Sequence, residues 1–183
     1  MYGIVNKAIE ELVITKFGHQ KWEVIRNLSG IDHEFFISSE SYDDDITFKL
    51  ANAIALEMEI NLDDVLIAFG EWWVVKTTKE KYGNLMEAGG NNLKDFLLNL
   101  PMFHNRVMLL YPKLTPPEFR VSDVTEFSLH LHYLSQRQGL REFVRGLIQG
   151  LGIVFKTKVV IELLQSREDG NSHEIYKISW QYE

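Results

Sequence analysis

The chain contains no cysteine at all. No disulfide framework can form, no thiolate can ligate a metal, and no Cys-x-x-Cys-His site exists for covalent attachment of a cofactor. Also missing is any basic excess: 26 Asp and Glu face 19 Lys and Arg, for a net charge of -7. That balance argues against nucleic acid as a partner, whose binding needs a basic patch. No stretch approaches the ~20 uninterrupted apolar residues of a membrane helix. No basic segment followed by an apolar run stands at the amino terminus, as a signal peptide would require. The expected setting is therefore cytoplasmic and away from membranes. Internal repeats, low-complexity tracts and flexible linkers are absent too.

What is present is a chain of 183 residues, 45% hydrophobic and 12% aromatic, which excludes disorder. This length suits a single domain, 1–183, able to bury about two-thirds of its unfolded surface. Hydrophobic period divides it near residue 112. Before that point apolar residues recur at three- and four-residue spacings, as in Ile4, Val5, Ala8, Ile9, Leu12 and Val13. Helices are expected over 2–17, 21–28 and 43–58, and again after Asn61 as far as Trp73. The acidic run Asp43-Asp44-Asp45 stands where it would cap the third of these. Residues 83–92 read as a looser stretch and 93–99 as a short helix. Pro101 then suits the first turn of a separate helix, since proline lacks the donor that this turn leaves unpaired. Phe103, His104, Val107, Met108 and Tyr111 form one stripe on it, so His104 emerges beside apolar neighbours.

After Pro116 the period becomes two. Strands are expected over 118–121, 128–136, 156–164 and 174–182, with a helix over 140–155 and a turn at Asp169-Gly170-Asn171. An antiparallel sheet with a helix packed on it follows.

Within the second strand stands Tyr133-Leu134-Ser135-Gln136-Arg137. Side chains two apart on an extended chain share a face, so Tyr133, Ser135 and Arg137 point together. Two hydroxyls and a forked cation suit a group with more than one carboxylate. A lone histidine elsewhere can ligate a metal inside that group, and a dicarboxylate around a metal describes haem. The same pattern on a strand also describes a solvated polar face, and most single histidines are structural. The residues alone leave both readings open.

Further motifs lie along the whole chain: Met1-Tyr2-Gly3-Ile4-Val5-Asn6, Tyr42-Asp43-Asp44-Asp45 and Phe69-Gly70-Glu71-Trp72-Trp73. Leu100-Pro101-Met102-Phe103-His104, Thr115-Pro116-Pro117 and the Tyr133/Ser135/Arg137 triplet follow. With these motifs the chain resembles the H-NOX family of haem nitric oxide/oxygen-binding domains, the sensor module shared by bacteria and the soluble guanylate cyclases. The resemblance implies an α+β fold, with a helical part over about 1–112. A four-stranded antiparallel sheet with packed helices over about 113–183 completes it, haem b lying noncovalently between the parts.

It further implies a role for each matching residue. His104 stands where the family's iron ligand stands, and Tyr133, Ser135 and Arg137 where the haem propionates are held. Pro117 matches the proline that presses on the porphyrin, although Pro116-Pro117 also reads as a plain turn. Ile4 matches an apolar residue packed on the ring. The distal pocket falls to Trp73, Phe143 and Leu147. Oxygen-binding members carry a distal tyrosine, because bound oxygen takes on negative charge and needs a donor. Aligning on Gly146, with one inserted residue, puts Phe143 at that place, and no tyrosine occurs over 140–155. Trp73 replaces a polar residue of the oxygen binders, Ala8 replaces a tryptophan, and Trp73 is the one donor expected nearby.

The function implied is a sensor of nitric oxide and carbon monoxide at ferrous haem that excludes oxygen. Its output would pass to a separate effector such as a histidine kinase or a cyclase. An enzyme of the peroxidase type would need a distal acid–base group, and Ile4, Trp73, Phe143 and Leu147 offer none. Two alternatives stay open: a haem-free module for a lipid or other acid, and an oxygen-binding haem sensor.

Overall fold

A computed structural model describes residues 1–110 and 117–181. The chain resolves into two compact units, Met1–Phe69 and Gly70–Glu183. Their division does not follow the change of period near residue 112.

The first unit is helical. α1 (Gly3–Phe17), α2 (His19–Ser29) and α3 (Asp44–Met58) form it, with the start of α4 (Leu62–Trp72). Gly18 joins α1 to α2 at φ 85°, a backbone conformation that favours glycine. The polar core pair is Thr47, whose hydroxyl donates to Asn6 Oδ1 at 2.6 Å. The acidic run serves otherwise than expected. Asp43 makes no side-chain capping bond. Asp44 pairs with the Met1 amine and Asp45 with Lys49 at 2.7 Å. Asp44 and Asp45 still lie in the first turn, where the helix dipole favours negative charge.

In the second unit the last turn of α4 runs into a π-helical segment, Trp73–Thr78, and then into α5 (Lys79–Glu87). The looser stretch expected from residue 83 thus begins only after Glu87. α6 (Leu93–Met108) is one helix with Pro101 inside it. The expected break at Pro101 does not occur. An interior proline costs about 3 kcal/mol, but Leu93, Phe96 and Leu97 before it and Val107 after it are all buried. Burial of both halves outweighs the lost hydrogen bond.

β1 (Glu118–Ser122), β2 (Ser128–Leu134), β3 (Lys158–Gln165) and β4 (Glu174–Gln181) form an antiparallel sheet in the order β1-β2-β4-β3. α7 (Arg141–Val154) packs on β3. Strict alternation along β2 and β4 sends Leu129, Leu131, Tyr133, Tyr176, Ile178 and Trp180 into the core. His130 and His132 take the opposite face, as their spacing requires. There His132 shares hydrogen bonds with His173 (2.9 Å) and Ser122 (2.8 Å), and His130 lies 3.0 Å from Asp123. Tyr111, Thr115, Pro116 and Tyr182, which entered the sequence reading, lie outside the described residues. The α+β class and the four-stranded antiparallel sheet match expectation.

Candidate functional site

The second unit brings His104 and the Tyr/Ser/Arg motif together. His104 sits half-buried on α6, which packs on β1. Its ring meets Phe119 edge-on, with centroids 5.2 Å apart. Phe119 in turn lies 5.5 Å from Tyr133, its register partner on β2. One aromatic therefore links the histidine helix to the motif. Burial pushes the His104 pKa down to about 4, which leaves a neutral imidazole at physiological pH. No hydrogen bond to its ring nitrogens occurs among the described residues.

Tyr133 is 3% exposed, and the Ser135 side chain lies near its hydroxyl. Burial raises its pKa, so it stays a neutral phenol. The expectation that all three motif residues share a strand face is corrected here. β2 ends at Leu134, and Ser135 and Arg137 belong to the turn that follows. β1 begins opposite Leu134 and β4 begins opposite Tyr133, so nothing continues the ladder past that point. The turn is closed locally, with the Arg137 N–H donating to Ser135 Oγ at 3.0 Å. Both residues are half-buried.

Arg167 is a residue that sequence reasoning missed. It opens the 3₁₀ turn Arg167–Asp169 between β3 and β4. Its Nη1 donates to the Ser135 carbonyl (2.6 Å) and its Nη2 to the Arg137 carbonyl (2.7 Å). Its Nε faces both carboxylate oxygens of buried Glu174, at 2.9 and 3.0 Å. An arginine in a turn between strands carries no local sign of such a role.

The residues expected on the distal side also share this unit. Gly70 lies where α4 meets α7: a Cβ there would stand 2.2 Å from the Phe143 carbonyl oxygen. A Cβ on Gly150 would stand 2.8 Å from Val74 Cβ. These glycines let the π-helical segment, which starts at Trp73, lie close against the helix carrying Phe143 and Leu147. All three side chains are half-buried. Trp73 is not the only donor in this region. The Trp72 indole N–H and the Thr77 hydroxyl are buried with no hydrogen-bond partner among the described residues. A π-helical segment is itself a frequent mark of functional sites, but its hydrogen-bond pattern has no signature in sequence.

Pro117 is half-buried just ahead of β1. Ile4 belongs to the first unit, where it is buried in α1 and donates its N–H to the Ser38 carbonyl at 3.3 Å. Among the described residues no cluster of three or more metal-ligating side chains is placed to hold an ion by itself. Haem asks the protein for one neutral nitrogen ligand and for partners to two carboxylates. A neutral His104, unpaired among the described residues, with a phenol, a hydroxyl and Arg137, linked through Phe119, fits that demand.

Comparison with known proteins identifies the family. A model of the haem-NO-binding family matches residues 2–163. A soluble guanylate cyclase of Caenorhabditis elegans, gcy-31, is 28% identical over 172 residues, covering 93% of this chain and 24% of the cyclase. A second from the same organism, gcy-35, is 28% identical over 92% of this chain and 25% of its own length. The chain thus spans about a quarter of the length of these relatives. Among solved structures, an H-NOX protein from S. oneidensis in its Fe(II)NO state superposes with a TM-score of 0.90 at 20% identity, covering 100% of both chains. The unliganded Fe(II) H-NOX protein from K. algicida gives 0.87 at 24% identity, covering 100% of this chain and 98% of its own. On the family match over nearly its whole length, this chain belongs to the haem-NO-binding (H-NOX) family of haem-binding gas-sensor domains.

Proposed function

We propose that this chain senses nitric oxide and carbon monoxide at ferrous haem b, excludes oxygen, and passes the signal to a separate effector. The observation that carries the reading is His104: neutral through burial, without a hydrogen-bond partner among the described residues, and joined by Phe119 to Tyr133. Haem, when bound, supplies an iron with a position open to a diatomic gas. His104 would hold the iron, and Tyr133, Ser135 and Arg137 the two propionates. Pro117 and Ile4 keep the ring-packing roles that the family resemblance gives them. Phe143 and Leu147 offer a gas no hydrogen-bond donor, which disfavours oxygen relative to nitric oxide and carbon monoxide.

The output follows from two-state logic. A ligand shifts the protein only as far as it binds one packing better than another. α6 carries His104 and packs on β1, so the helix that would hold the iron is in direct contact with the sheet. An effector such as a histidine kinase or a cyclase would read that change. The catalytic activity named for the relatives is not assigned to this segment, and a cytoplasmic setting is part of the same proposal. Among the described residues no helix is long and apolar enough to cross a membrane.

One observation favours the alternative of an oxygen-binding sensor: the buried donors of Trp72 and Thr77, unpaired among the described residues, in the stretch around Trp73. A single cuvette separates the two. The purified protein should show a strong haem band stoichiometric with chain. Once reduced it should shift with carbon monoxide and nitric oxide, yet form no lasting complex in air. A stable oxygen spectrum would establish the alternative, and a colourless protein that takes up no haem would end both.

A further inference from the structure

The turn after β2 raises a question that the family motif does not answer. Past Leu134 the strand has no ladder partner, so the carbonyls of Ser135 and Arg137 need donors from elsewhere. Arg167 supplies both, at 2.6 and 2.7 Å. The third side of the same guanidinium is taken by Glu174 at 2.9 and 3.0 Å. Glu174 stands opposite Tyr133 in the sheet register, and its side chain is only 4% exposed. A carboxylate so deeply buried requires a cation. That requirement holds Arg167 in place, and Arg167 then holds the turn. A planar fork is needed: a lysine ammonium cannot meet a carboxylate and two carbonyls that face different edges of the fork.

We propose that Arg167, anchored by Glu174, is the positioning residue of the propionate site. It touches neither iron nor gas. It fixes the backbone of the Ser135–Arg137 turn, so that the backbone from which the Ser135 hydroxyl and the Arg137 guanidinium reach two carboxylates is ordered beforehand. Such preorganisation sharpens binding by reducing what must be immobilised when the ligand arrives. The inference rests on the reading that Ser135 and Arg137 hold those carboxylates.

A double-mutant cycle on the haem-loaded protein tests it. Haem loss to an excess of apomyoglobin would be followed in the Soret band for the parent, Arg137→Ala, Arg167→Lys and the double variant. Removing the charged partner in Arg137→Ala should speed loss by about tenfold or more. Arg167→Lys should speed it by roughly fivefold, and shift the propionate modes in the resonance Raman spectrum. The double variant should lose haem little faster than Arg137→Ala, because a residue that acts through another is not additive with it. Glu174→Gln, which loosens the anchor and leaves the fork intact, should change loss in the same direction and show the same coupling. It carries the test if Arg167→Lys fails to fold.

Multiplying effects, or unaltered loss in Arg167→Lys, would overturn the proposal and leave Arg167 as a brace between β3 and β4. If Arg137→Ala loses haem no faster than the parent, the carboxylate reading itself fails, and the positioning role falls with it. The two failures are thus read from different members of the cycle.

Discussion

His104 combines properties that seldom occur together in a histidine: it is partly covered, neutral, and unpaired among the described residues. The others in this unit are engaged. His130 faces Asp123, while His132 and His173 bond to each other across the opposite face of the sheet. His104→Gly should therefore leave a folded protein with little or weakly held haem. Added imidazole should restore the parent spectrum by filling the vacated position. An unaltered ferrous spectrum in the variant without imidazole would remove His104 from the ligand role. Tyr133, Ser135 and Arg137 show how residue types and backbone state separate. Their chemistry was legible in the sequence, whereas their shared strand face was not, because the strand stops where its partner does.

At the scale of elements, the packing of the last turn of α4 and the π-helical segment on α7 depends on glycine. A methyl group at Gly70 would meet backbone atoms, the Phe143 carbonyl at 2.2 Å and the Leu147 nitrogen at 2.8 Å. Backbone cannot move aside as a flexible side chain can. Gly70→Ala should lower unfolding free energy by roughly 1–3 kcal/mol, despite alanine's better helix propensity. Gly83, inside α5, provides the contrast, since a Cβ there meets nothing within 4 Å. Gly83→Ala should be neutral or stabilising by up to about 1 kcal/mol. Urea titrations of both variants check the pair. Equal effects at the two sites would mean that close helix approach is not what Gly70 provides.

For the molecule as a whole, the alkaline limit of stability should lie in the second unit. Tyr176 is fully buried and donates its hydroxyl to the Arg141 carbonyl at 2.8 Å. Burial first, then nearby carboxylates led by Glu174, raise its pKa well above the ordinary 10.0. Burial raises that of Tyr133 too. A folded pKa above the unfolded one means that the folded state keeps its proton longer. The stabilisation is full below about pH 10 and is lost as pH rises through the folded value. Stability should thus stay level to about pH 9 and then fall. Tyr176→Phe should be less stable by about 1 kcal/mol at neutral pH, through its lost hydrogen bond, yet decline less above pH 10. An alkaline decline as steep in the variant as in the parent would place the limit elsewhere.

Local sequence determined a good deal of this protein. Periods of 3.6 and 2 arise from neighbours along the chain, so most helices and all four strands were legible, as were the opposed faces of His132 and Tyr133. The absence of cysteine excluded thiolate ligation outright, and the spacing of His104 and the triplet carried the family resemblance. Tertiary structure decided what depends on distant partners. Burial on both sides of Pro101 kept α6 whole, and the lack of a ladder partner ended β2 at Leu134. The boundary of the two units fell at Phe69, away from the change of period. Trp72 and Thr77 were left as buried donors by the packing around a π-helical segment. Arg167 came to hold the Ser135–Arg137 turn because the fold buries Glu174 beside it, and a buried carboxylate must find its cation wherever the chain returns.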